Sequence, residues 1–456
     1  MFLVVTVETS GLGDRSYVVG DGEVAVVVDP QRDIDRLQQA LRQVGGRLTH
    51  VLETHIHNDY VTGGLQLADA AGAAYLVAAA DDVAFDRTGA RPGDEVSTGS
   101  LTIRVLATPG HTPTHLSYVV AQDGHDRAVF TGGSLLYGTV GRTDLIADGR
   151  TEELTRAQYR SARMLIAQLA ADVEVYPTHG FGSFCSSASG SGGPSGTIAD
   201  ERRANLAALA GDEETFVAQL IGGLTAYPRY YARMAPINRA GPAPVDLTPP
   251  AELDPAELGR RIHAGQWVVD LRTRRAFAHH HLHGTVNIGL DGAFATYLGW
   301  VLPWGDPVTL VGDTADEVAA AQRELVRIGV DRPAGQATGG PDRYAVGADP
   351  RAYAVADFGE LAETLAADPA AVTVLDVRRD DEWARGHLVG ALHIPLPDLE
   401  ARAGELPSGD AMLWVHCQSG FRAAIGASLL DRAGRRVVLI DDSFDHTAAA
   451  GLHLTT

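Results

Sequence analysis

The chain reads Glu53-Thr54-His55-Ile56-His57-Asn58-Asp59-Tyr60 directly after the apolar run of residues 48–52. The apolar run predicts a buried strand, which places the polar stretch at the carboxyl end of that strand. Two imidazoles and a carboxylate that converge in one loop are ligands that a borderline divalent cation prefers. The alternative, a polar turn without ligands, is disfavoured because related histidine motifs follow downstream.

Three more motifs complete the set. They read Thr108-Pro109-Gly110-His111-Thr112, Thr131-Gly132-Gly133 and Pro177-Thr178-His179-Gly180. The set resembles the metallo-β-lactamase superfamily, whose motifs are T-H-x-H-x-D-H, P-G-H-T, T-G-D and a late histidine. This resemblance implies a metal site in the first half of the chain, with ligands drawn from His55, His57, Asp59, His111 and His179.

Two positions depart from the superfamily pattern. Tyr60 stands where the first motif has its last histidine, and Gly133 stands where the third motif has its metal-bridging aspartate. A two-metal hydrolytic centre is therefore disfavoured, because a second ion would have few anionic ligands. In the persulfide dioxygenase branch, two histidines and one carboxylate hold a single iron, and that carboxylate would stand at Gly133. We expect one mononuclear metal held by His55, His57 and His111, with Fe(II) favoured, Zn(II) second, and a metal-free domain as the alternative.

A short segment after these motifs reads Gly141-Arg142-Thr143-Asp144. The persulfide dioxygenase branch has a G-R-T-D or G-R-P-D segment at this place, where it borders the thiol-substrate pocket. The resemblance implies that Arg142 binds substrate, and a solvated turn is the alternative. Residues 180–196 are rich in glycine and serine, which predicts a mobile rim. Cys185 lies within them and has no basic neighbour in the sequence that would favour a thiolate.

Hydrophobic periodicity predicts alternating strands and helices around the motifs. The predicted strands cover residues 2–8, 16–19, 24–29, 48–52, 75–78, 101–107, 116–120, 128–131 and 173–176. The predicted helices cover residues 33–44, 63–71, 199–210 and 213–220. Residues 228–236 begin and end with proline and are predicted to be irregular. Strands and helices in this order suit two packed sheets flanked by helices.

The second half of the chain repeats itself, which predicts two similar domains. Val269-Asp270-Leu271-Arg272 matches Leu375-Asp376-Val377-Arg378, at an offset of 106 residues. The same offset aligns Phe277 with Trp383, His281 with His387, Leu282 with Leu388, Gly284 with Gly390 and Ile288 with Ile394. Each copy has a helix, a β-branched strand that ends in Asp-x-Arg, and a second helical segment, and this alternation predicts a parallel sheet.

The second copy carries a cysteine loop. The apolar strand Leu413-Trp414-Val415-His416 opens into Cys417-Gln418-Ser419-Gly420-Phe421-Arg422, before a predicted helix over 423–432. Both copies resemble rhodanese domains, and this loop resembles the rhodanese active loop. A turn of this kind directs backbone N–H groups into a bowl at the positive end of the helix, which favours a thiolate and a sulfane sulfur on Cys417.

This resemblance implies the roles of the loop residues. Cys417 and Arg422 are expected to be catalytic, with Arg422 gripping an anionic donor such as thiosulfate. The loop residues expected to bind substrate are Gln418, Ser419, Gly420 and Phe421. A buried structural cysteine is the alternative for Cys417.

The first copy lacks this chemistry. Its loop reads Gly312-Asp313-Thr314-Ala315-Asp316-Glu317, with neither cysteine nor arginine, and its acids would repel an anionic substrate. We expect this copy to be structural. The active copy also departs from the rhodanese pattern, because Asp441-Asp442-Ser443-Phe444 replaces the usual Gly-Gly-x-x-x-Trp. This departure predicts weaker turnover of free substrates.

Composition limits the compartment and the partners. The 456 residues suggest two to four domains, and the formal net charge of -21 argues against a nucleic-acid surface. The first ten residues lack a basic n-region, and no apolar run is long enough to span a bilayer. Cys185 and Cys417 are the only cysteines, so no disulfide framework is expected. We expect a cytoplasmic protein without nucleic-acid or membrane partners, and a homodimer stays open.

We therefore predict an α/β protein. An αββα metallo-β-lactamase sandwich covers residues 1–239, and a proline-rich linker covers residues 240–255. Two parallel-sheet α/β rhodanese domains follow, one over 256–345 without a catalytic cysteine and one over 346–456 with Cys417.

The domain pairing predicts a sulfur-metabolism enzyme, by analogy at the level of the fold. The first half would oxidise a thiol persulfide of the glutathione type to sulfite, and Cys417 would pass sulfane sulfur among thiols, thiosulfate and sulfite. Two alternatives stay open: a metal-dependent thioester hydrolase like glyoxalase II, and a non-catalytic sulfur carrier that has lost its metal.

Overall fold

The computed structural model describes residues 1–146, 149–187, 196–345, 349–369, 372–407 and 411–456. The chain divides into two compact units, one made of Met1–Asp246 with Val326–Gly329 and the other of Leu247–Leu325 with Val330–Thr456. Residues 188–195 of the predicted mobile rim over 180–196, and the start of the predicted last domain, at residue 346, lie outside the described residues.

The first unit contains two sheets. The first has the order β1-β2-β3-β4-β5-β6, formed by β1 (Leu3–Thr9), β2 (Asp14–Gly20), β3 (Val24–Val28), β4 (Arg47–Leu52), β5 (Ala74–Ala78) and β6 (Thr88–Ala90). The second has the order β12-β11-β10-β9-β8-β7, formed by β7 (Glu95–Thr98), β8 (Leu101–Ala107), β9 (Leu116–Gln122), β10 (His125–Gly132), β11 (Glu174–Pro177) and β12 (Gly196–Thr197). Strands β3 to β6 pair in parallel, as do β10 and β11.

Helices cover the outer faces of both sheets. They are α1 (Ile34–Val44), α2 (Gly64–Ala71), α3 (Thr151–Gln168), α4 (Ile198–Ala204), α5 (Leu206–Leu209), α6 (Glu213–Gly222) and α7 (Tyr231–Ala240). The apolar core between the sheets includes Tyr17, Leu52 and Phe130. Helices α1 and α2 pack on the outer face of the first sheet, and α3 and α6 pack on that of the second. This is the predicted αββα sandwich, and the prediction is confirmed.

Residues 199–210 do not form one helix as predicted. They form α4 and α5, separated by Asn205. The side-chain oxygen of Asn205 accepts a hydrogen bond from the Ala207 N–H, and its amide donates to the carbonyls of Leu136 and Thr139. Asn205 therefore ends one helix and caps the next, a role in which asparagine competes well with helix continuation.

The prediction of irregular structure over residues 228–236 is wrong. Helix α7 runs through Pro236, although proline removes a helical N–H donor. The buried side chain of Asn238, near the end of α7, donates to the carbonyls of His57 and Tyr60 and accepts from the N–H of Thr62. These contacts with the histidine loop stabilise a helix that local sequence disfavours.

The second unit contains two sheets with similar connections. The first has the order β15-β13-β16-β17, formed by β13 (Trp267–Asp270), β15 (Val286–Asn287), β16 (Val308–Gly312) and β17 (Gly335–Thr338). The second has the order β19-β24-β23-β20-β22, formed by β19 (Ala354–Ala356), β20 (Val372–Asp376), β22 (Leu392–His393), β23 (Met412–His416) and β24 (Val437–Ile440). All pairs within these sheets are parallel, as predicted.

Two small ribbons and a set of helices complete the second unit. The ribbons pair β14 (His281–Leu282) with β18 (Pro350–Arg351) and β21 (His387–Leu388) with β25 (Leu454–Thr455). The helices are α8 (Pro255–His263), α9 (Arg274–His279), α10 (Phe294–Val301), α11 (Ala315–Arg327), α12 (Pro341–Tyr344), α13 (Phe358–Ala367), α14 (Asp380–Ala384), α15 (Leu399–Arg402) and α16 (Phe421–Arg432).

The sequence repeat is also a structural repeat. The Asp-x-Arg motif has the same geometry in both copies, because Arg272 bonds to Asp270 at 2.6 Å and Arg378 bonds to Asp376 at 2.6 Å. In each copy the same arginine also donates to a main-chain carbonyl at 2.9 Å. A buried ion pair with these extra hydrogen bonds fixes the turn after each strand.

Within the described residues, no helix combines the length and the apolar character that crossing a bilayer requires.

Candidate functional site

The histidines of the first unit meet at the carboxyl ends of the strands. His55 follows β4, His111 follows β8 and His179 follows β11, and all three are buried. One ring nitrogen of each lies within 4.8 Å of one from each of the others. The sequence motifs therefore come together in one cluster, as the resemblance implies.

The Nδ1 atom of each of these rings is held by an oxygen atom. Nδ1 of His111 bonds to the carbonyl of Arg142 at 2.7 Å, and Nδ1 of His179 bonds to Asp14 at 2.9 Å. Nδ1 of His55 bonds to the hydroxyl of Thr54 at 2.8 Å. These contacts place the N–H on Nδ1 and leave the Nε2 lone pair for a ligand, which is how proteins prepare imidazoles for metal binding.

The donor set fits a divalent metal ion. Nε2 of His111 is buried without a hydrogen-bond partner, and Nε2 of His55 lies 3.3 Å from Nε2 of His179. Burial, followed by the charge of His179, lowers the pKa of His111 to about 3, so its ring is neutral. Imidazole sites of this kind suit iron and zinc among other ions.

His57 has different surroundings. Its Nε2 lies 3.0 Å from the hydroxyl of Tyr60, 3.2 Å from Glu53 and 3.3 Å from Asp29, while its Nδ1 has no hydrogen-bond partner. Burial alone would lower the pKa of His57, but the carboxylates of Asp29 and Glu53 raise it to about 9. His57 is thus a cation that neutralises two buried acids beside the cluster.

Asp59 lies behind His179. Its carboxylate is 3.2 Å from Nδ1 of His179, on the side where Asp14 also bonds to that ring. Burial opposes a charge on His179, yet Asp59 and Asp14 together raise its pKa to about 10, so a metal ion would bind Nε2 of His179 by displacing its proton. The structure also brings together two further sets with metal-ligand spacing, Asp29 with His55 and His57, and His57 with Asp59 and His179.

Gly133 makes room for the ring of His111. A Cβ atom at Gly133 would lie 2.5 Å from Cγ and 2.8 Å from Nε2 of His111, both closer than real contacts allow. The N–H of Gly133 donates to Nε2 of His115, which stacks on His55 with a centroid separation of 4.9 Å. The ring of His111 therefore fills the space that a side chain at residue 133 would need.

Replacing Gly133 with alanine is expected to displace His111 and to lower both metal affinity and stability. Overpacking of this kind costs about 1–3 kcal/mol. Metal content and thermal unfolding by circular dichroism measure the two effects. Gly211→Ala is the control, because a Cβ there meets nothing within 4 Å. Equal metal content in both variants would contradict this interpretation of Gly133.

Arg142 is buried and committed to the protein. Its guanidinium donates to Asp144, to the carbonyl of Phe184 and to the carbonyl of Thr225, and it lies 4.5 Å from the ring centroid of Tyr227. Its own carbonyl holds His111. These contacts give Arg142 a supporting position behind the histidine cluster. Nearby, burial raises the pKa of the Cys185 thiol well above its ordinary value.

Sequence reasoning missed the acids that organise the cluster. Asp29 directly follows β3 and accepts from the N–H and hydroxyl of Thr54, each at 2.7 Å, and from the hydroxyl of Thr178. Asp14 and Glu53 bind the rings of His179 and His57. The sequence did contain a signal for these acids. Each stands at the start or just after the end of an apolar strand, at the edge of the sheet where the histidines lie.

The cysteine loop lies between β23 and α16, as predicted. Cys417 is buried, Gly420 has a φ of 88°, and the N-terminus of α16 has no side-chain cap. A non-glycine residue would be strained at Gly420. The first N–H groups of α16 are therefore left for an anion beside Cys417. Gln418 donates to Asp445 at 3.3 Å, and Phe421 begins the helix.

Arg422 is held by a carboxylate. Its two terminal nitrogens bond to the two oxygens of Glu382 at 2.5 and 2.7 Å, and both side chains are buried. Burial alone would raise the pKa of Glu382, but the hydrogen bonds and charge of Arg422 lower it to about 2. The pair fixes the far end of the cysteine loop and neutralises much of the charge expected for donor binding.

Replacing Glu382 with glutamine is expected to destabilise the second unit by about 3 kcal/mol at neutral pH, the value of a pKa depressed from 4.5 to about 2. A depressed pKa contributes stability above pH 4.5 that is lost as pH falls towards 2. The difference in free energy of unfolding between the wild type and the variant should therefore be about 1 kcal/mol smaller at pH 3.5 than at neutral pH. Tryptophan fluorescence during urea unfolding reports it, since the five tryptophans lie at 267, 300, 304, 383 and 414. An equal difference in free energy of unfolding at the two pH values would contradict the expectation.

The loop of the first copy is filled by its own acid. The carboxylate of Glu317 accepts from the N–H of Asp313 at 2.7 Å and from the N–H of Thr314 at 3.2 Å. These are N–H groups that an anion would need. The structure thus gives a physical reason for the prediction that this copy is not catalytic.

Comparisons with known proteins agree with this architecture. The model of the metallo-beta-lactamase superfamily matches residues 12–180, and the model of the rhodanese-like domain matches residues 357–450. The human mitochondrial persulfide dioxygenase ETHE1 is 30% identical over 194 residues, which cover 42% of this chain and 69% of that protein. A hydroxyacylglutathione hydrolase from Acidiphilium cryptum is 33% identical over 156 residues, which cover 34% of this chain and 59% of that protein.

A solved structure covers more of the chain. A metallo-beta-lactamase from Staphylococcus aureus subsp. aureus COL superposes with a TM-score of 0.66 at 27% identity, covering 75% of this chain and 99% of that chain. With the histidine cluster at the strand ends, these similarities show that the chain belongs to the metallo-beta-lactamase superfamily and carries a rhodanese-like domain near its C-terminal end.

Proposed function

We propose that the protein is a sulfur-metabolism enzyme in which Cys417 carries sulfane sulfur as a persulfide. The observation that carries this proposal is the position of Cys417, at the mouth of a glycine-containing loop beside the uncapped N-terminus of α16. The Cys417 thiolate attacks the sulfane sulfur of thiosulfate, the sulfur–sulfur bond of thiosulfate breaks, and sulfite leaves with the electron pair. An acceptor thiolate then attacks the persulfide and regenerates the Cys417 thiolate.

The first unit would supply sulfite, the sulfur acceptor for this chemistry. His55, His111 and His179 would hold one metal ion, with Fe(II) favoured and Zn(II) second. When bound, an iron ion would supply the redox chemistry that oxidises a thiol persulfide to sulfite with dioxygen. Asp14 orients the ring of His179, Thr54 that of His55 and the carbonyl of Arg142 that of His111. All three rings are buried, which keeps bulk water from them. The sulfite so formed is a sulfur acceptor for the Cys417 persulfide, which returns thiosulfate.

Oxygen uptake with glutathione persulfide tests the metal-dependent half. Protein loaded with one iron per chain should consume dioxygen when the persulfide is added and should release sulfite. Arg142→Lys should slow this uptake, since lysine keeps the charge but loses the planar contacts with Asp144 that hold Arg142, and its carbonyl, beside His111. An iron-loaded protein that consumes no dioxygen would remove the dioxygenase proposal and leave the Cys417 proposal standing.

A metal-dependent thioester hydrolase is the second candidate. It is favoured by the similarity to hydroxyacylglutathione hydrolases, three of which are 33–34% identical to this chain. Such an enzyme would bind two metal ions, and Gly133 does not provide the carboxylate that would bridge them. Two zinc ions per chain together with hydrolysis of a glutathione thioester would establish this candidate. A chain that binds no metal would instead be a sulfur carrier through Cys417.

A further inference from the structure

The copy without a cysteine packs against the loop of the copy that has one. A Cβ atom at Gly292, in the first copy, would lie 2.6 Å from Cδ2 and 2.7 Å from Cζ of Phe421, so this glycine permits close approach to the cysteine loop. A Cβ atom at Gly420 would lie 3.3 Å from Nε of Arg274, also from the first copy. Residues of the first copy therefore pack against the cysteine loop of the second.

An unusual acid secures this contact. Asp441 stands where rhodanese domains usually have a glycine, and its two oxygens accept from Nε of Arg274 and Nε of Arg275, each at 2.5 Å. Both arginines lie on α9 of the first copy, and Arg274 also bonds to Asp291 at 3.0 Å. Asp441, which departs from the rhodanese pattern, is thus paired with two arginines of the first copy.

Tyr297 of the first copy lies against the end of the cysteine loop, at Phe421 and Arg422. It lies on α10 and lines a narrow gap with Trp300, Arg379 and Arg422. Its ring stacks on Trp300 with a centroid separation of 5.9 Å and packs against Phe421 at 5.5 Å. Aromatic neighbours on both sides hold the ring in one orientation, so little entropy is lost when its hydroxyl binds a ligand.

The hydroxyl of Tyr297 is ready to donate a hydrogen bond. Within the described part of the chain, no hydrogen bond satisfies it. Burial raises the pKa of Tyr297 above its ordinary value, and the charges that act on it include those of Arg422, Arg379 and Cys417. The hydroxyl keeps its proton and lies in the electrostatic surroundings of the cysteine. Because Glu382 already neutralises Arg422, a further donor is needed for an anion at this site.

We propose that the Tyr297 hydroxyl donates a hydrogen bond to a sulfur oxyanion at Cys417, so that the copy without a cysteine completes the anion site of the other copy. The ligand class is small: sulfite, or the sulfonate end of thiosulfate. The gap has a volume of about 10 Å³, which is enough for about one oxygen atom and too little for a bulky thiol. This inference rests on the proposed function of Cys417.

Protection of Cys417 from alkylation by sulfite tests the inference. Sulfite has no sulfane sulfur to donate, so it leaves the reduced thiol without added sulfur, and mass spectrometry of the peptide that contains Cys417 reads the alkylation rate. A free-thiol peptide in the same tube corrects for the alkylating agent that sulfite consumes. Tyr297→Phe should raise the sulfite concentration for half protection about tenfold, the effect of one lost hydrogen bond to a charged group. Tyr353→Phe is the matched control, because its hydroxyl is also without a hydrogen-bond partner but lies beside Phe277 and His281.

The outcomes separate this inference from the proposed function. Weaker protection in the Tyr297 variant alone supports the inference. Equal protection in the wild type and both variants, or equal weakening in both variants, overturns it. Thiosulfate-dependent transfer is measured beside it in the wild type. A wild type that sulfite protects but that transfers no sulfur would retain the anion site and contradict the proposed function.

Discussion

Replacing Cys417 with serine is expected to abolish thiosulfate-dependent sulfur transfer. A serine hydroxyl is far less acidic than a thiol and cannot hold a sulfane sulfur as a persulfide, so no covalent intermediate forms. The first copy offers no substitute, because Gly312 begins its loop and Glu317 fills the bowl. Transfer should fall to the uncatalysed rate, a loss of at least about 1000-fold. Formation of thiocyanate from thiosulfate and cyanide measures it.

Cys185→Ser is the control for this prediction. It removes the other cysteine of the chain, which is buried in the first unit. We expect this variant to keep sulfur transfer at the wild-type rate. The Cys417 variant should keep its metal content, because the histidine cluster lies in the first unit. Undiminished transfer after removal of Cys417 would contradict the assignment.

Replacing His111 with alanine is expected to abolish metal binding by the first unit. Nε2 of His111 is buried without a partner, and the proposed set loses one of its three imidazoles. Loss of a direct ligand should weaken metal affinity by more than the roughly 10–100-fold that follows loss of a supporting residue. Elemental analysis of purified protein, together with thermal unfolding, measures the result.

His57→Ala distinguishes this set of ligands from the set expected from the sequence. His57 lies between Asp29 and Glu53, so its removal leaves buried carboxylates without their cation. Such a loss costs about 3–5 kcal/mol. We expect this variant to have a lower melting temperature and to keep its metal, whereas His111→Ala is expected to lose its metal. Loss of metal from a folded His57 variant would restore the set His55, His57 and His111.

Much of the architecture could be predicted from sequence patterns. The strand before Glu53, the histidine motifs and the 106-residue repeat each rest on local periodicity or spacing, and such signals survive in the fold. The His281–Leu282 strand of the first copy and the His387–Leu388 strand of the second lie at that offset. Helix α7 could not be predicted, because the contacts of Asn238 with the histidine loop come from residues far away in the chain.

At the candidate sites, too, the sequence identifies residues but not the contacts that position them. The histidine motifs predicted the histidine cluster. The orientation of each ring depends on Asp14, Thr54 and the carbonyl of Arg142, and the motifs do not specify these contacts. Arg422 was expected to bind a donor, and its partner Glu382 lies 40 residues earlier. Tyr297 lies in the copy without a cysteine, so only the packing of the two copies reveals its contact with Phe421 of the cysteine loop.

The most direct test of the central claim is mass spectrometry of the peptide that contains Cys417 after incubation with thiosulfate. The proposed chemistry predicts one added sulfur atom on Cys417, which disappears when sulfite or an acceptor thiol is added. The same peptide from protein kept without thiosulfate should carry no added sulfur. Added sulfur on Cys185 alone, or on neither cysteine, would contradict the claim that this protein carries sulfane sulfur on Cys417.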